Sequence, residues 1–217
     1  MQYNRGTFLS SIMPVTKHLL IINIIMWLAS VVFQYTQTVD LYRWLGLHFW
    51  QLPEFNPFQF FTYMFMHDNS GIAHIFFNMF SLWMFGSLLE KVLGSKRYLF
   101  YYISCGLGAA LVQQLVWQIT MEGVFIPTVG ASGAVFGILL AFGMLFPNMK
   151  MYIIPFPFPV KAKWVVLGYG LLELYFGISG RMSGVAHFAH LGGMIAGIIM
   201  ILYWKHKGTL TRGNGFY

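Results

Sequence analysis

Apolar runs of about twenty residues, broken only by short polar or aromatic connectors, dominate the chain. Each is long enough to cross a hydrocarbon core of roughly 30 Å at about 1.5 Å per residue. Of 217 residues, 58% are hydrophobic and only 9% are charged. Soluble domains carry roughly 25% charged residues, so a water-filled surface cannot be made from this composition. The runs fall at about 18–35, 71–90, 98–118, 132–146, 164–178 and 185–204. They predict an all-α polytopic membrane protein with six transmembrane helices. The domain reading is a tail over 1–16, a six-helix unit over 17–204 and a basic tail over 205–217. The first run is long for a cleaved leader and lacks a clear processing site, so it reads as a retained span.

The net charge of +7 could suggest nucleic acid, but its placement points to topology. With six spans, Arg5, Lys17, Lys91, Lys96, Arg97, Lys150, Lys161, Lys163, Lys205, Lys207 and Arg212 share one side. Only Arg43 and Arg181, of 13 Lys and Arg, fall on the other. That split places both termini in the cytoplasm. No nucleic-acid partner is expected. The aromatic stretch 41–50, followed by Pro53 and Pro57, is amphipathic and should lie partly in the membrane plane. Met149 to Pro159, with prolines at 155, 157 and 159, reads as an extended connection poor in hydrogen bonds. The single cysteine, Cys105, excludes an internal disulfide and reads as a buried hydrophobe.

Polar residues inside apolar runs are costly, so their depth carries information. Counted from the cytoplasmic ends of their helices, Ser132 and His190 each lie roughly 21 Å in, and Asn78 roughly 20 Å, with His74 one turn further out. A serine, a histidine and an asparagine thus share one level. The run opening at Ser132 is too short to span, so residues 119–131 must dip into the bilayer as irregular backbone. Such backbone is tolerated only within protein or beside a water-filled cavity. Gly133 and Gly137 on one helix, and Gly193 and Gly197 on another, allow close backbone approach. That approach would bring Ser132 to His190, with Phe136 packed on the imidazole. Histidine is the side chain suited to take the serine proton near neutral pH. His74, Asn78 and backbone N–H groups near Ser132 could donate to an oxyanion. His187, one turn outward, is a weaker candidate base than His190 and could lend a supporting hydrogen bond. No carboxylate is obviously available as a third member. Asp68 precedes the second helix, and Glu173 on the fifth reads as a neutral, hydrogen-bonded structural residue. A Ser–His dyad is therefore expected. With no ligating carboxylate or thiolate near the histidines, no zinc, other metal or cofactor is expected.

His74-x-x-x-Asn78, Gly130-Ala131-Ser132-Gly133 and Ala189-His190-x-x-Gly193-x-x-x-Gly197, in this order, resemble the rhomboid intramembrane serine proteases. Glu90-x-x-x-Gly94 fits the same pattern. The resemblance covers about residues 15–205. It implies a rhomboid-like bundle with a membrane-embedded polar cavity, Ser132 as nucleophile and His190 as general base. It also implies an oxyanion hole of His74, Asn78 and the Ser132 N–H, with Phe136 stacked on the base. The expected function is endopeptidase cleavage of transmembrane segments, with membrane-protein substrates and the lipid bilayer as partners. The rival readings are a non-catalytic relative that binds transmembrane helices and a small transporter. The latter is disfavoured by the lack of a visible inverted repeat. A bacterial cytoplasmic membrane is the expected location.

Overall fold

The computed structural model describes residues 12–121, 124–152, 158–180 and 186–210. Helix α1 runs Pro14–Thr36, with proline in its first turn, where the missing N–H costs nothing. A short α2, Leu41–Leu45, is capped by the Asp40 carboxylate, which accepts from the Tyr42 and Arg43 N–H groups. Helix α3, Gln59–Thr62, passes into a 3₁₀ turn, Tyr63–Phe65. The second apolar run is one continuous rod of three parts. These are α4, Ala73–Ser81, a widened π turn, Leu82–Gly86, and α5, Ser87–Leu93. Helix α6 is Ser95–Thr120, α7 is Ser132–Leu145, α8 is Ala162–Ser179 and α9 is His187–His206. Three of these, α1, α6 and α9, are long and apolar enough to cross a membrane.

The outer surface is apolar. Ile25, Phe77, Phe100, Leu171 and Ile199 are each more than half exposed. A contiguous coat of this kind belongs against lipid, not water. The chain is an integral membrane protein. Expected segments that include Arg5, Pro155, Pro157, Arg181, Val185 and Arg212 lie partly outside the described residues. One expectation needs correction within them. A short antiparallel ladder closes the connection after α7, with β1 (Lys150–Met151) pairing β2 (Val160–Lys161). The prolines predict a connection poor in such bonds, and the residues flanking them supply the pairing. In the stretch after α2, Leu47, His48 and Phe49 are buried. Their backbone bonds are met inside the protein. The Gln114 amide accepts from the Trp50 N–H at 2.9 Å and donates to the His48 carbonyl at 2.6 Å. Leu47 exchanges both main-chain bonds with Thr128 at 2.9 Å. That exchange is how irregular backbone on both sides of the pair is satisfied away from water.

Helix α9 packs mainly on α6 and α7 and more lightly on α8. Small residues set the spacing. A Cβ on Gly193 would overlap the carbonyl of Gly133, and one on Gly137 would meet Cys105. Tyrosine hydroxyls tie the elements. Tyr101 donates to the Gly137 carbonyl at 2.6 Å, and Tyr63 to that of Gly106 at 2.7 Å. At the other end of the bundle the fully buried Glu90 closes the start of α1. Its carboxylate accepts from the Val15 and Thr16 N–H groups, the Thr16 hydroxyl and the Ser95 hydroxyl at 2.6–2.9 Å.

Candidate active site

Ser132 is the first residue of α7, so its side chain emerges where the helix still has free N–H groups. The hydroxyl does not cap its own helix. It points across to α9 and lies 2.7 Å from His190 Nε2, bridging 58 positions of sequence. The close α7–α9 approach makes this reach possible, because Gly133 and Gly193 put the two backbones in contact. Phe136, one turn below Ser132, stacks on the His190 ring with centroids 4.3 Å apart and planes within 10°. The ring therefore has one orientation. Ser132 is partly exposed, whereas His190 is buried.

Gly130 precedes the serine with φ +126°, a conformation that favours glycine. A Cβ there would lie 2.9 Å from His74 Nε2, so glycine also admits the imidazole beside the serine. The Asp68 N–H donates to His74 Nδ1 at 3.2 Å. In the neutral ring that bond leaves the proton on Nε2, which makes His74 a donor on the side of Gly130 and Ser132. Asn78, one turn along α4, donates its amide to the His74 carbonyl at 2.9 Å. It makes no bond to Ser132.

Glu173 overturns the expectation that no carboxylate reaches the pair. Its Oε2 lies 2.9 Å from His190 Nδ1 and 2.7 Å from His187 Nδ1. His187 therefore supports the site through Glu173, not through Ser132. Spacing along the sequence could not reveal this. Glu173 sits on α8, whose buried residues lie near its other end, at Ala162, Val165 and Val166. The one signal available was an ionisable group inside an apolar run. The grounds for setting zinc aside change as well. Among the described residues, Glu173, His187 and His190 form the one group of three ligand-type side chains, with donor atoms within 4.8 Å of one another. One carboxylate oxygen already bridges the two imidazoles at hydrogen-bond distance. A metal would have to displace that contact.

The arrangement can move a proton from a hydroxyl to an imidazole beside a cluster of backbone donors. This is the equipment of acyl transfer. The Rhomboid domain family model matches residues 54–207, well over half of the chain. Among curated proteins, the chain is 32% identical over 126 residues to "Rhomboid protein 1, mitochondrial" of Saccharomyces cerevisiae, covering 58% of this chain and 36% of that protein. It is 30% identical over 204 residues to "Rhomboid-like protein 11, chloroplastic" of Arabidopsis thaliana, covering 84% of this chain and 62% of that one. It is 30% identical over 128 residues to "Rhomboid protease GluP" of Bacillus subtilis, covering 58% and 22%. The chain thus spans less than two thirds of the length of each of these relatives. Two of the three carry organelle names, so they give no support to the expected bacterial cytoplasmic membrane.

Proposed function

The chain belongs to the rhomboid family, and from that premise we propose that it is an intramembrane serine endopeptidase. Six membrane crossings within residues 17–204, with both termini cytoplasmic, are part of this reading. The observation that carries it is the 2.7 Å approach of Ser132 Oγ to His190 Nε2, partly open to water, in a bundle coated with lipid-facing side chains. His190 Nε2 takes the hydroxyl proton as Ser132 Oγ attacks the scissile carbonyl carbon. The charge that develops on the carbonyl oxygen faces the Ser132 N–H, His74 Nε2 and the Asn78 amide, which turns from its own helix to donate. The imidazolium then returns its proton to the leaving nitrogen, the C–N bond breaks, and water hydrolyses the acyl-serine by the same route. The substrate is a membrane protein whose transmembrane segment unwinds locally. An intact helix shields each carbonyl with its own hydrogen bond.

The test is incubation of detergent-purified protein with a fluorophosphonate probe and a model transmembrane substrate. Wild type labels and cleaves. Ser132→Ala does neither, and His190→Ala loses both. Cleavage that persists in folded Ser132→Ala ends the reading. A non-catalytic relative binding transmembrane helices would retain substrate binding in wild type with no cleavage at all.

A further inference from the structure

Glu173 is the only carboxylate on α8, and it lies towards the far end of the helix from the cytoplasmic lysines, turned to α9. A carboxylate at this depth is expensive unless something answers it. One of its oxygens, Oε2, faces two imidazole Nδ1 atoms at 2.7 and 2.9 Å. An ionised carboxylate can only accept, so both rings then carry their neutral proton on Nδ1. For His190 this has a direct consequence. With the proton on Nδ1, the free lone pair is on Nε2, the atom that faces the Ser132 hydroxyl at 2.7 Å. The opposite tautomer would present an N–H to that hydroxyl and could not take its proton. Phe136 fixes the plane of the ring, and Glu173 fixes which nitrogen is the base. His187 holds the carboxylate from the other side, its ring 5.6 Å from that of Phe176 on α8.

We propose that Glu173, clamped by His187, is a positioning residue that turns the Ser132–His190 pair into a Ser–His–Glu relay. The inference rests on the endopeptidase reading. When Ser132 Oγ bonds to the substrate carbon, its proton passes to His190 Nε2. The imidazolium so formed keeps its Nδ1–H bond to the Glu173 carboxylate, which offsets the new charge and itself takes up no proton. Glu173 touches neither substrate nor serine. It acts only through the orientation and tautomer of His190.

Three variants and one spectrum test this. Glu173→Gln can offer its amide N–H to Nδ1 and drive His190 to the wrong tautomer. It should lower kcat by roughly 10²- to 10⁴-fold, the upper end being the loss when the acid of a soluble triad is amidated. KM should stay within about twofold, because substrate binding is not touched. Glu173→Asp, which keeps the charge, should recover part of the lost rate. His187→Phe should cost roughly tenfold by loosening the carboxylate. In ¹⁵N-histidine-labelled wild type, both His187 and His190 should appear as Nδ1–H tautomers, and Glu173→Gln should change the His190 signature. A merely structural role would leave that signature in place.

A folded Glu173→Gln that turns over within about threefold of wild type, while Ser132→Ala is dead, overturns the relay and leaves the endopeptidase reading standing. Cleavage by Ser132→Ala overturns the endopeptidase reading itself. The wild-type spectrum needs no variant to fold, and a His190 proton on Nε2 overturns the proposal outright. So does a wild-type activity that a chelator removes and zinc restores, because the three groups would then be metal ligands.

Discussion

Among the described residues, two glutamates sit within this apolar bundle, Glu90 on α5, fully buried, and Glu173 on α8, half-buried, and their neighbours differ in kind. Glu90 is met by two main-chain N–H groups and two hydroxyls. The two N–H groups are the orphans at the start of α1, so the carboxylate acts as an N-cap supplied from a distant helix and also faces the positive end of the α1 dipole. None of these donors can give up its proton near neutral pH, and the arrangement can only hold. Glu173 is met by two imidazoles, one of which touches a serine hydroxyl. Its donors can change charge during a reaction. The same side chain thus serves as a fastener in one place and as the orienting partner of a proton-accepting imidazole in the other. The donor set marks the difference in what each can do.

Removing the fastener gives the largest expected effect. Glu90→Ala leaves the first N–H groups of α1 buried without acceptors. It should cost about 3–5 kcal/mol of stability, read as a lower unfolding midpoint in mild detergent. Fluorophosphonate labelling of the molecules that remain folded should be unchanged. A loss of labelling per folded molecule as deep as that of Glu173→Gln would break the comparison. Gly193→Ala attacks the other side. Its Cβ would overlap the Gly133 carbonyl and wedge α7 from α9. Overpacking of this kind should cost about 1–3 kcal/mol. It should abolish labelling in the folded fraction, since the Ser132–His190 contact depends on that approach.

Ser95→Ala removes one of the four donors to Glu90 and should cost about 1 kcal/mol, with cleavage intact. A third buried ionisable group sharpens the contrast, because it answers burial by staying neutral. His67 lies between the 3₁₀ turn and α4, fully buried. Burial, with the His74 imidazole beside it, brings its pKa down from 6.5 to about 3. Because the unfolded chain binds the proton more readily, the stability it permits is complete above pH 6.5 and is lost as pH falls towards 3. Between pH 6.5 and 5.5 the loss should be about 1 kcal/mol. His67→Phe should flatten that part of the unfolding profile, and an unaltered acid limb would show that His67 does not carry it.

Much of this was legible before any coordinates. The shared depth of Ser132, His190 and Asn78 follows from counting residues along rigid rods of fixed rise, and the paired glycines mark where two rods can touch. The short run opening at Ser132 marks a loop that must be sheltered. The partner that shelters it is Leu47, 81 positions before Thr128 in the numbering, and no local pattern announces a single main-chain exchange of that kind. Glu173 was visible as a costly residue, yet its role depends on which way α8 faces.

Helix positions and the level of the polar groups were determined by the sequence alone, because hydrophobicity, helical rise and membrane thickness act along one dimension. Tertiary structure alone decided that Glu90 caps α1 while Glu173 holds two imidazoles, because azimuth and tilt about each helix are set by packing against all the others at once.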